Sequence, residues 1–323
     1  MTRRALLLVA VLAVGLVAVP AASASRAVIG TFGGPGTGPG QFGSPRADYR
    51  AYLLRTGPGG IAFAGSEVVV ADPINDRIQR FTRDGRFLGA FGRRGILPGQ
   101  MLSPHGIAVH RGRLYVVMQG NDRIEVYTLR GRWLQAFHVL SRIGERYAMT
   151  RGAGRGQVHN PWGIALGPDG GFSVADMNNG RVQRFSPRGV GRGQVGRFGA
   201  GPGQLRAPFG VAVDRAGNLW VSDNMLNRVQ KFDSRGRLLL AVGETGSGPG
   251  DFLAPQGLAT DRAGNLYVAD TNNARVVKLA PDGRFLESFG EGVLTQPVHL
   301  AVSDDCTVWV SDYRRVVKFA GSC

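Results

Sequence analysis

The sequence predicts an all-β protein, a β-propeller in which six four-stranded blades form a ring. Three observations lead to this prediction: a repeat with the period of one blade, four strand-like segments in each copy, and little helical periodicity after residue 26. The repeat is clearest over residues 208–232, where Arg228 marks its second half. Equivalent arginines, at spacings of 46, 58, 47, 47 and 40 residues, are Arg77, Arg123, Arg181, Arg228, Arg275 and Arg315.

Each copy contains the signals of four strands in a fixed order. It begins with a short, continuous apolar run such as residues 106–109 (GIAV), which suits a strand buried on both faces. A polar turn with glycine then leads to a second apolar run, as in residues 261–269, which is the pattern of a β-hairpin. The repeat arginine opens the third run, as in residues 228–232, and the fourth ends in glycine, as in residues 288–290.

The last copy lacks a fourth strand, and the start of the chain offers one. Residues 27–33 (AVIGTFG) precede the first copy and resemble the ends of other fourth strands, such as residues 88–92 (LGAFG). We expect this N-terminal strand to complete the last blade, because the pairing closes the ring and removes an open sheet edge. Residues 26–323 would then form a single propeller domain.

The order of residue types within each copy resembles the NHL-repeat family. Proline, Gly-Ile-Ala-Val, an aromatic-containing strand, Val-Ala-Asp, Asn, Arg-Val or Arg-Ile, and Phe follow one another, and the copies cover nearly all of the chain after residue 26. The resemblance implies a six-bladed propeller. It also brings functional models: binding propellers such as the external sensors of bacterial receptor kinases, and the similar peptide-amidating lyases, which bind zinc through several histidines.

The first 25 residues have the layout of a secretory signal peptide. Arg3 and Arg4 precede an apolar run over residues 5–19, and small residues follow at positions 22–24. The run is short for a helix that spans a bilayer, so a retained membrane anchor is the lesser alternative. We therefore expect an exported protein, secreted or associated with the cell envelope, with no stable membrane anchor after signal cleavage.

The chain is strongly basic, with 39 Lys plus Arg against 23 Asp plus Glu and a formal net charge of +16. Some NHL propellers bind RNA, and a basic face would support that binding through counterion release. Export argues against nucleic acid as the partner. We expect a protein, a peptide or an anionic envelope polymer instead, bound by a monomeric propeller.

Cys306 and Cys323 are the two cysteines of the chain. An even number in an exported protein favours a disulfide bond, and hairpin pairing brings residue 306 opposite a residue near 321. Closing this loop would contribute about 3 kcal/mol to stability. A thiol nucleophile is the lesser alternative, because an oxidising compartment disfavours a free thiol.

Two recurring features suggest ligand chemistry but have simpler structural interpretations. Glycine-rich turns such as residues 199–205 (GAGPGQL) resemble phosphate loops, but no helix or Gly-Lys-Ser/Thr follows, so tight crossovers between blades are favoured. An aspartate five residues before the repeat arginine could suggest calcium, but the arginine opposes a cation, so a structural ion pair is favoured. The residues of this structural repeat motif are Asp72, Arg77, Arg123, Asp176, Arg181, Asp223, Arg228, Asp270 and Arg275.

The residue before the first apolar run of each copy is expected to face the mouth of the central channel, where propellers commonly bind ligands. A zinc site needs several ligands, and only His105 matches, with His299 one place later. The carboxylates expected of propeller lactonases are missing from this set. We predict ligand binding here, with no metal site and no catalytic residue. The six equivalent positions are Gly59, His105, Trp162, Phe209, Gln256 and Val298. Of these, the predicted ligand-binding residues are His105, Trp162, Phe209 and Gln256.

A long insertion over residues 138–155 lengthens the crossover into the third copy and is rich in arginine. Guanidinium groups pair bidentately with phosphate or carboxylate, and aromatic rings stack on sugars, so this loop is the second predicted binding region. A merely solvated loop is the alternative. Its candidate residues are Arg142, Arg146, Tyr147, Arg151 and Arg155.

Two functions of different classes follow from these residues. The leading prediction is a secreted NHL-repeat propeller that acts as a non-enzymatic scaffold for a protein, peptide or anionic envelope ligand and uses no cofactor. The alternative is an exported lyase or hydrolase with its site at the central channel. An enzyme needs several titratable groups at one end of the ring, where the sequence shows His105 among apolar neighbours. A weaker hypothesis is adhesion to anionic wall polymer through diffuse charge.

Overall fold

The computed structural model describes residues 26–43, 57–137, 141–143, 146–148 and 152–322. Within these residues, six four-stranded antiparallel sheets form the blades of a propeller, and one two-stranded sheet lies between the second and third blades in sequence. The predicted all-β, six-bladed fold is therefore confirmed. No helix in this part of the chain is long and apolar enough to cross a membrane.

The strand order is the same in every blade, from the inner strand outward. Blade 1 contains β2 (Ile61–Ala64), β3 (Glu67–Asp72), β4 (Arg77–Thr82) and β5 (Phe87–Phe91). Blade 2 contains β6 (Pro104–His110), β7 (Arg113–Met118), β8 (Arg123–Thr128) and β9 (Trp133–Phe137). The small sheet pairs β10 (Ser141–Ile143) with β11 (Arg146–Ala148). Blade 3 contains β12 (Pro161–Leu166), β13 (Phe172–Asp176), β14 (Arg181–Phe185) and β15 (Gly191–Val195).

The last three blades follow the same plan. Blade 4 contains β16 (Pro208–Val213), β17 (Leu219–Asp223), β18 (Arg228–Phe232) and β19 (Leu238–Val242). Blade 5 contains β20 (Pro255–Thr260), β21 (Leu266–Asp270), β22 (Arg275–Leu279) and β23 (Phe285–Phe289). Blade 6 contains β24 (Pro297–Val302), β25 (Val308–Asp312), β26 (Arg315–Phe319) and, as its outer strand, β1 (Val28–Gly33). Single turns of 3-10 helix are Gln119–Asn121, Met177–Asn179 and Thr271–Asn273.

The N-terminal strand closes the ring, as the sequence predicted. β1 pairs antiparallel with β26, and Thr31 lies opposite Val317 in this register. The seam between the last and first blades is also tied by the hydroxyl of Ser311, which donates to the carbonyl oxygen of Gly59 at 2.6 Å. With β1 in place, β26 is paired on both sides and blade 6 has four strands like the other blades.

The hydrophobic core lies between neighbouring blades, because side chains alternate between the two faces of each sheet. At the seam, Trp309 of blade 6 packs edge-on against Phe32 and Phe63, with 5.8 Å between ring centroids in each pair. Between blades 2 and 3, Tyr115 packs against Phe172 at 5.5 Å. Each fully buried aromatic side chain of this kind stabilises the ring by about 2 to 3 kcal/mol.

The inner strands approach one another closely around the axis, which explains the glycine that opens the apolar run in blades 1 to 5; His299 stands at this position in blade 6. A Cβ on Gly163 would lie 2.5 Å from the carbonyl oxygen of Phe209, and one on Gly257 would lie 2.7 Å from that of Val298. The inner strands pair on one side only, so their other backbone edges face the channel. Polar backbone groups therefore contribute to the channel wall.

Antiparallel pairing gives the propeller two distinct faces. The loops that lead into each inner strand lie at the same end as the loops that join the second and third strands, and we call this end the loop face. It comprises residues 92–103, 196–207, 243–254 and 290–296, with residues 72–77, 118–123, 176–181, 223–228, 270–275 and 312–315. The opposite end, the turn face, carries the turns that join the first to the second and the third to the fourth strands.

Candidate functional site

The central channel encloses a cavity of about 280 Å³. Glycine and aliphatic residues of the six inner strands form most of its wall, and the polar side chains along it are Thr260 and His299. His299 is 8% exposed, and its Nε2 atom has no hydrogen-bond partner among the described residues. Burial lowers the pKa of this imidazole from 6.5 to about 4, so the ring is neutral at pH 7.

The predicted channel-mouth residues lie together at the loop-face end of the inner strands, but they are buried. The rings of His105 and Trp162 stack with 4.0 Å between centroids, and Phe209 follows at 4.6 Å from Trp162. Gln256 is fully buried, and neither its amide nitrogen nor its amide oxygen has a hydrogen-bond partner within the described residues. A ligand would have to displace neighbours to reach these four side chains, and their binding role remains a prediction.

The arginine-rich loop is described only in part. The small hairpin places Arg142 opposite Tyr147 and Ile143 opposite Arg146 in its backbone register. Arg151 lies outside the described residues. Arg155 is exposed, and its Nε donates to the carbonyl oxygen of Gly191 at 2.8 Å. The binding role predicted for this loop therefore also remains a prediction.

The structural repeat motif joins each blade to the glycine-rich loop that crosses onto it. Arg275 Nε lies 2.8 Å from Asp270 Oδ2, while its two terminal nitrogens donate to the carbonyl oxygens of Ser247, Gly248 and Asp251. These loops thus turn carbonyl oxygens toward a guanidinium, which is the opposite polarity to the amide cradle of a phosphate loop. The same ion pair joins Arg77 to Asp72 at 2.8 Å and Arg181 to Asp176 at 2.7 Å.

Two blades depart from this pairing. In blade 2, Met118 stands where other blades have aspartate, and Arg123 instead pairs with Glu125 at 2.5 Å. In blade 4, Arg228 donates to the carbonyl oxygens of its crossover loop. Asp223 of that blade accepts hydrogen bonds from backbone N–H groups, including those of residues 206 and 207.

In blade 5, where the ion pair is present, burial is the largest influence on the pKa of Asp270 and raises it. The hydrogen bonds and the ion pair to this carboxylate act in the opposite direction.

The loop face carries exposed apolar side chains that the sequence analysis missed. Phe198 is 65% exposed and Met225 is 59% exposed, and the exposed Arg197 and Arg206 lie in the same crossover loop as Phe198. We call these four residues the loop-face patch. Their signal in the sequence was a large apolar residue inside a glycine-rich or Asn-rich loop, which tight turns do not require. Further exposed apolar residues of this face are Ile96, Leu97, Val293 and Tyr313.

The backbone beneath the loop-face patch is held firmly. The amide of Arg206 donates to Asp223 Oδ2 at 2.7 Å, and the amide of Asn224 donates to the carbonyl oxygen of Ala207 at 3.0 Å. Phe198 lies over Gly180, where a Cβ would come within 2.8 Å of its ring. The patch is therefore preorganised by its loops while its side chains remain open to solvent.

The described residues contain no group of three or more His, Cys, Asp or Glu side chains that could hold a metal ion. Cys306 is buried at the turn between β24 and β25. Its predicted partner, Cys323, lies outside the described residues, so the disulfide bond remains a prediction.

Comparison with known protein families decides the identity of the repeat. The model of the NHL repeat matches residues 159–185 and 252–279, which hold the inner three strands of blades 3 and 5. The chain is an NHL-repeat β-propeller. The resemblance stated from the order of residues in each copy is thus confirmed. No curated protein has a sequence significantly similar to this NHL propeller.

Solved structures with the same fold include proteins of different functions. Virginiamycin B lyase from Staphylococcus aureus is 14% identical with a TM-score of 0.56, covering 82% of this chain and 95% of the lyase chain. A gluconolactonase from Xanthomonas campestris is 18% identical with a TM-score of 0.59, covering 87% and 97%. A chain of the nidogen/laminin complex is 19% identical with a TM-score of 0.55, covering 76% and 84%. At these identities the similarity establishes the fold alone.

Proposed function

We propose that this NHL propeller is an exported binding protein that holds a protein or peptide partner on its loop face, without a catalytic role. The observation that carries this proposal is the loop-face patch. Interfaces between proteins are enriched in aromatic residues, methionine and arginine, and these residue types make up the patch. Phe198 is 65% exposed on a firmly held loop, so its apolar ring contacts water in the free protein. A partner that covers the ring removes this unfavourable contact and so gains binding energy.

Charge indicates the chemistry of the partner. The chain carries a formal net charge of +16, and the exposed Arg197 and Arg206 accompany the apolar side chains of the patch. The crossover that carries the arginine-rich segment joins the end of β9 to the start of β12, and both of these strand ends lie at the loop face. A partner with apolar side chains surrounded by acidic residues would match this face and associate faster at low salt.

The proposal can be tested with peptides selected from a displayed library against the mature protein, attached through a C-terminal tag. We expect the selected peptides to combine apolar and acidic residues. The double variant Phe198→Ser/Met225→Ser should bind them about tenfold more weakly or worse, because central aromatic and apolar anchors dominate binding energy. Fluorescence anisotropy with each synthetic peptide measures the dissociation constant.

The matched control is Val190→Ser/Leu239→Ser. These side chains are 65% and 50% exposed but lie in the turn between β14 and β15 and in the outer strand β19, away from the loop face. This variant should bind the peptides as the wild type does. Peptides that bind the patch variant with unchanged affinity, or that lose affinity equally for both double variants, would contradict the proposal.

A second candidate function is an exported lyase or hydrolase with its site in the central channel. It is favoured by His299, whose neutral ring lines the channel with an unpartnered Nε2 within the described residues, and by the lyase and gluconolactonase that share the fold. Elemental analysis of the mature protein beside His105→Ala and His299→Gln tests it. Stoichiometric zinc or calcium that falls in either variant would support this candidate and direct lyase and lactonase assays.

A further inference from the structure

One cross-strand position recurs in every blade and controls the packing between that blade and the next. It pairs the second residue of the second strand, or its equivalent, with a residue of the third strand. In blades 4, 5 and 6 the pairs are Trp220 with Lys231, Tyr267 with Lys278, and Trp309 with Lys318. In each of these blades an aromatic residue is therefore opposite a lysine.

The lysine of each pair performs two tasks. Its ammonium group lies over the aromatic ring, at 4.9 Å in blade 4, 5.3 Å in blade 5 and 4.5 Å in blade 6. It also reaches across to the turn that follows the third strand of the next blade. Lys231 donates to the carbonyl oxygen of Pro281 at 2.9 Å, and Lys318 donates to that of Arg83 at 2.8 Å. The aromatic ring fills the space beneath this connection.

Blade 3 keeps the connection but lacks the ring. Arg184 takes the place of the lysine, and its guanidinium donates to the carbonyl oxygens of Asp233 and Ser234 in blade 4. Ser173 stands opposite Arg184, where blades 4 to 6 have an aromatic residue. A cleft of about 500 Å³ opens at this position, and both Ser173 and Arg184 line it.

The walls of the cleft suit a flat apolar group. Pro168 from the turn of blade 3 and Val213 and Leu219 from blade 4 contribute apolar groups to it. The rings of Phe172 and Phe185 lie on the other face of blade 3, where they pack toward blade 2. In blade 4 the equivalent space, against Leu258 and Leu266 of blade 5, is filled by the indole of Trp220. The repeat thus provides an internal template for what fits between two blades at this level.

The two arginines that line the cleft also favour an aromatic ligand. The guanidinium of Arg184 is bonded to backbone carbonyl oxygens, and burial lowers its pKa. Arg192 at the cleft is paired with Asp169 at 2.6 Å, so its charge is already balanced. The charge of Arg184 is attracted to Asp233, but its two side-chain hydrogen bonds go to backbone carbonyl oxygens. The electron-rich face of an aromatic ring stabilises a half-buried guanidinium of this kind.

We propose that the cleft between blades 3 and 4 binds the planar aromatic ring of a small molecule. The ring takes the place that the indole of Trp220 occupies one blade later and lies against the guanidinium of Arg184. This site is on the turn face and is independent of the partner proposed for the loop face.

Indole and phenol are the probes, with cyclohexanol as the non-aromatic match for phenol. Saturation-transfer NMR and calorimetric titration of the mature protein should detect indole and phenol with dissociation constants on the order of 1 mM. Cyclohexanol should bind more weakly, because it offers no π face to the guanidinium. Ser173→Trp should abolish indole binding and raise the melting temperature, because it restores the ring that the neighbouring blades contain.

Arg184→Met is the second variant, which keeps the volume of the side chain and removes its charge. It should weaken the binding of indole and phenol about threefold to tenfold and leave the binding of cyclohexanol unchanged. The proposal is overturned if the wild type binds none of the aromatic probes at 10 mM (about ten times the expected constant). It is also overturned if folded Ser173→Trp binds indole as the wild type does, or if phenol and cyclohexanol bind equally in both wild type and Arg184→Met.

Discussion

Protonation of His299 offers a quantitative measure of how fully the central channel is shielded from water. Burial lowers the pKa of this histidine from 6.5 to about 4 in the folded protein. Its stabilising contribution is therefore complete above pH 6.5 and is lost as the pH falls, because the unfolded chain takes up a proton that the folded protein refuses. The difference between the two pKa values corresponds to about 3 kcal/mol, of which about 2 kcal/mol is lost by pH 5.

The assay is urea denaturation between pH 7.5 and pH 5, for the wild type and for His299→Gln, which keeps a neutral polar side chain of similar size. The free energy of unfolding of the wild type should fall by about 2 kcal/mol more than that of the variant over this range. Thr260→Val removes the other polar side chain of the channel wall without removing a titrating group, so it should follow the wild type. Parallel pH profiles for wild type and His299→Gln would refute the reasoning.

Three further predictions concern the connections that hold the ring together. Arg275→Met should cost about 3 to 5 kcal/mol in urea denaturation, because it leaves the buried carboxylate of Asp270 without its ion pair. The equivalent Arg228→Met should cost only about 1 to 2 kcal/mol, because this arginine bonds carbonyl oxygens alone, and equal losses would contradict this view of the motif. Lys318→Met should cost about 1.5 to 3 kcal/mol and speed limited proteolysis at the seam between blades 6 and 1, and unchanged proteolysis would argue against an inter-blade role. Cys306→Ser should lower stability by about 3 kcal/mol under oxidising conditions and by nothing under reducing ones, and a loss that is independent of redox conditions would argue against the predicted disulfide.

The fold could be predicted from the sequence because the repeat supplies the same information six times. The inner-strand glycines, such as Gly163, are fixed by close backbone contacts between neighbouring blades, so they recur in blades 1 to 5, and His299 takes the position in blade 6. The closing strand could be found for the same reason: residues 27–33 complete a pattern that the last copy lacks. Topology here follows from local patterns and from the need to pair a sheet edge.

The candidate site was harder to predict, because its residues are the ones that depart from the repeat. Position along the strand placed His105 and Trp162 at the end of the channel, but their stacking into a buried cluster depends on which bulky residues adjacent blades happen to carry. The exposure of Phe198 depends on the loop around it. Ser173 stands where blades 4 to 6 have an aromatic residue, and this difference is visible in the sequence only once the cross-strand register is known.

The lysines between the blades also determine how the protein reacts with chemical reagents. Lys231, Lys278 and Lys318 are the three lysines of the chain, and each is wholly or largely shielded by an aromatic ring and a carbonyl of the next blade. Acylating reagents directed at amines should therefore modify the native protein mainly at its α-amino group. Lysine acylation should become extensive only when neighbouring blades separate, so its rate, followed by mass spectrometry of each lysine peptide, would report which blade interface opens first.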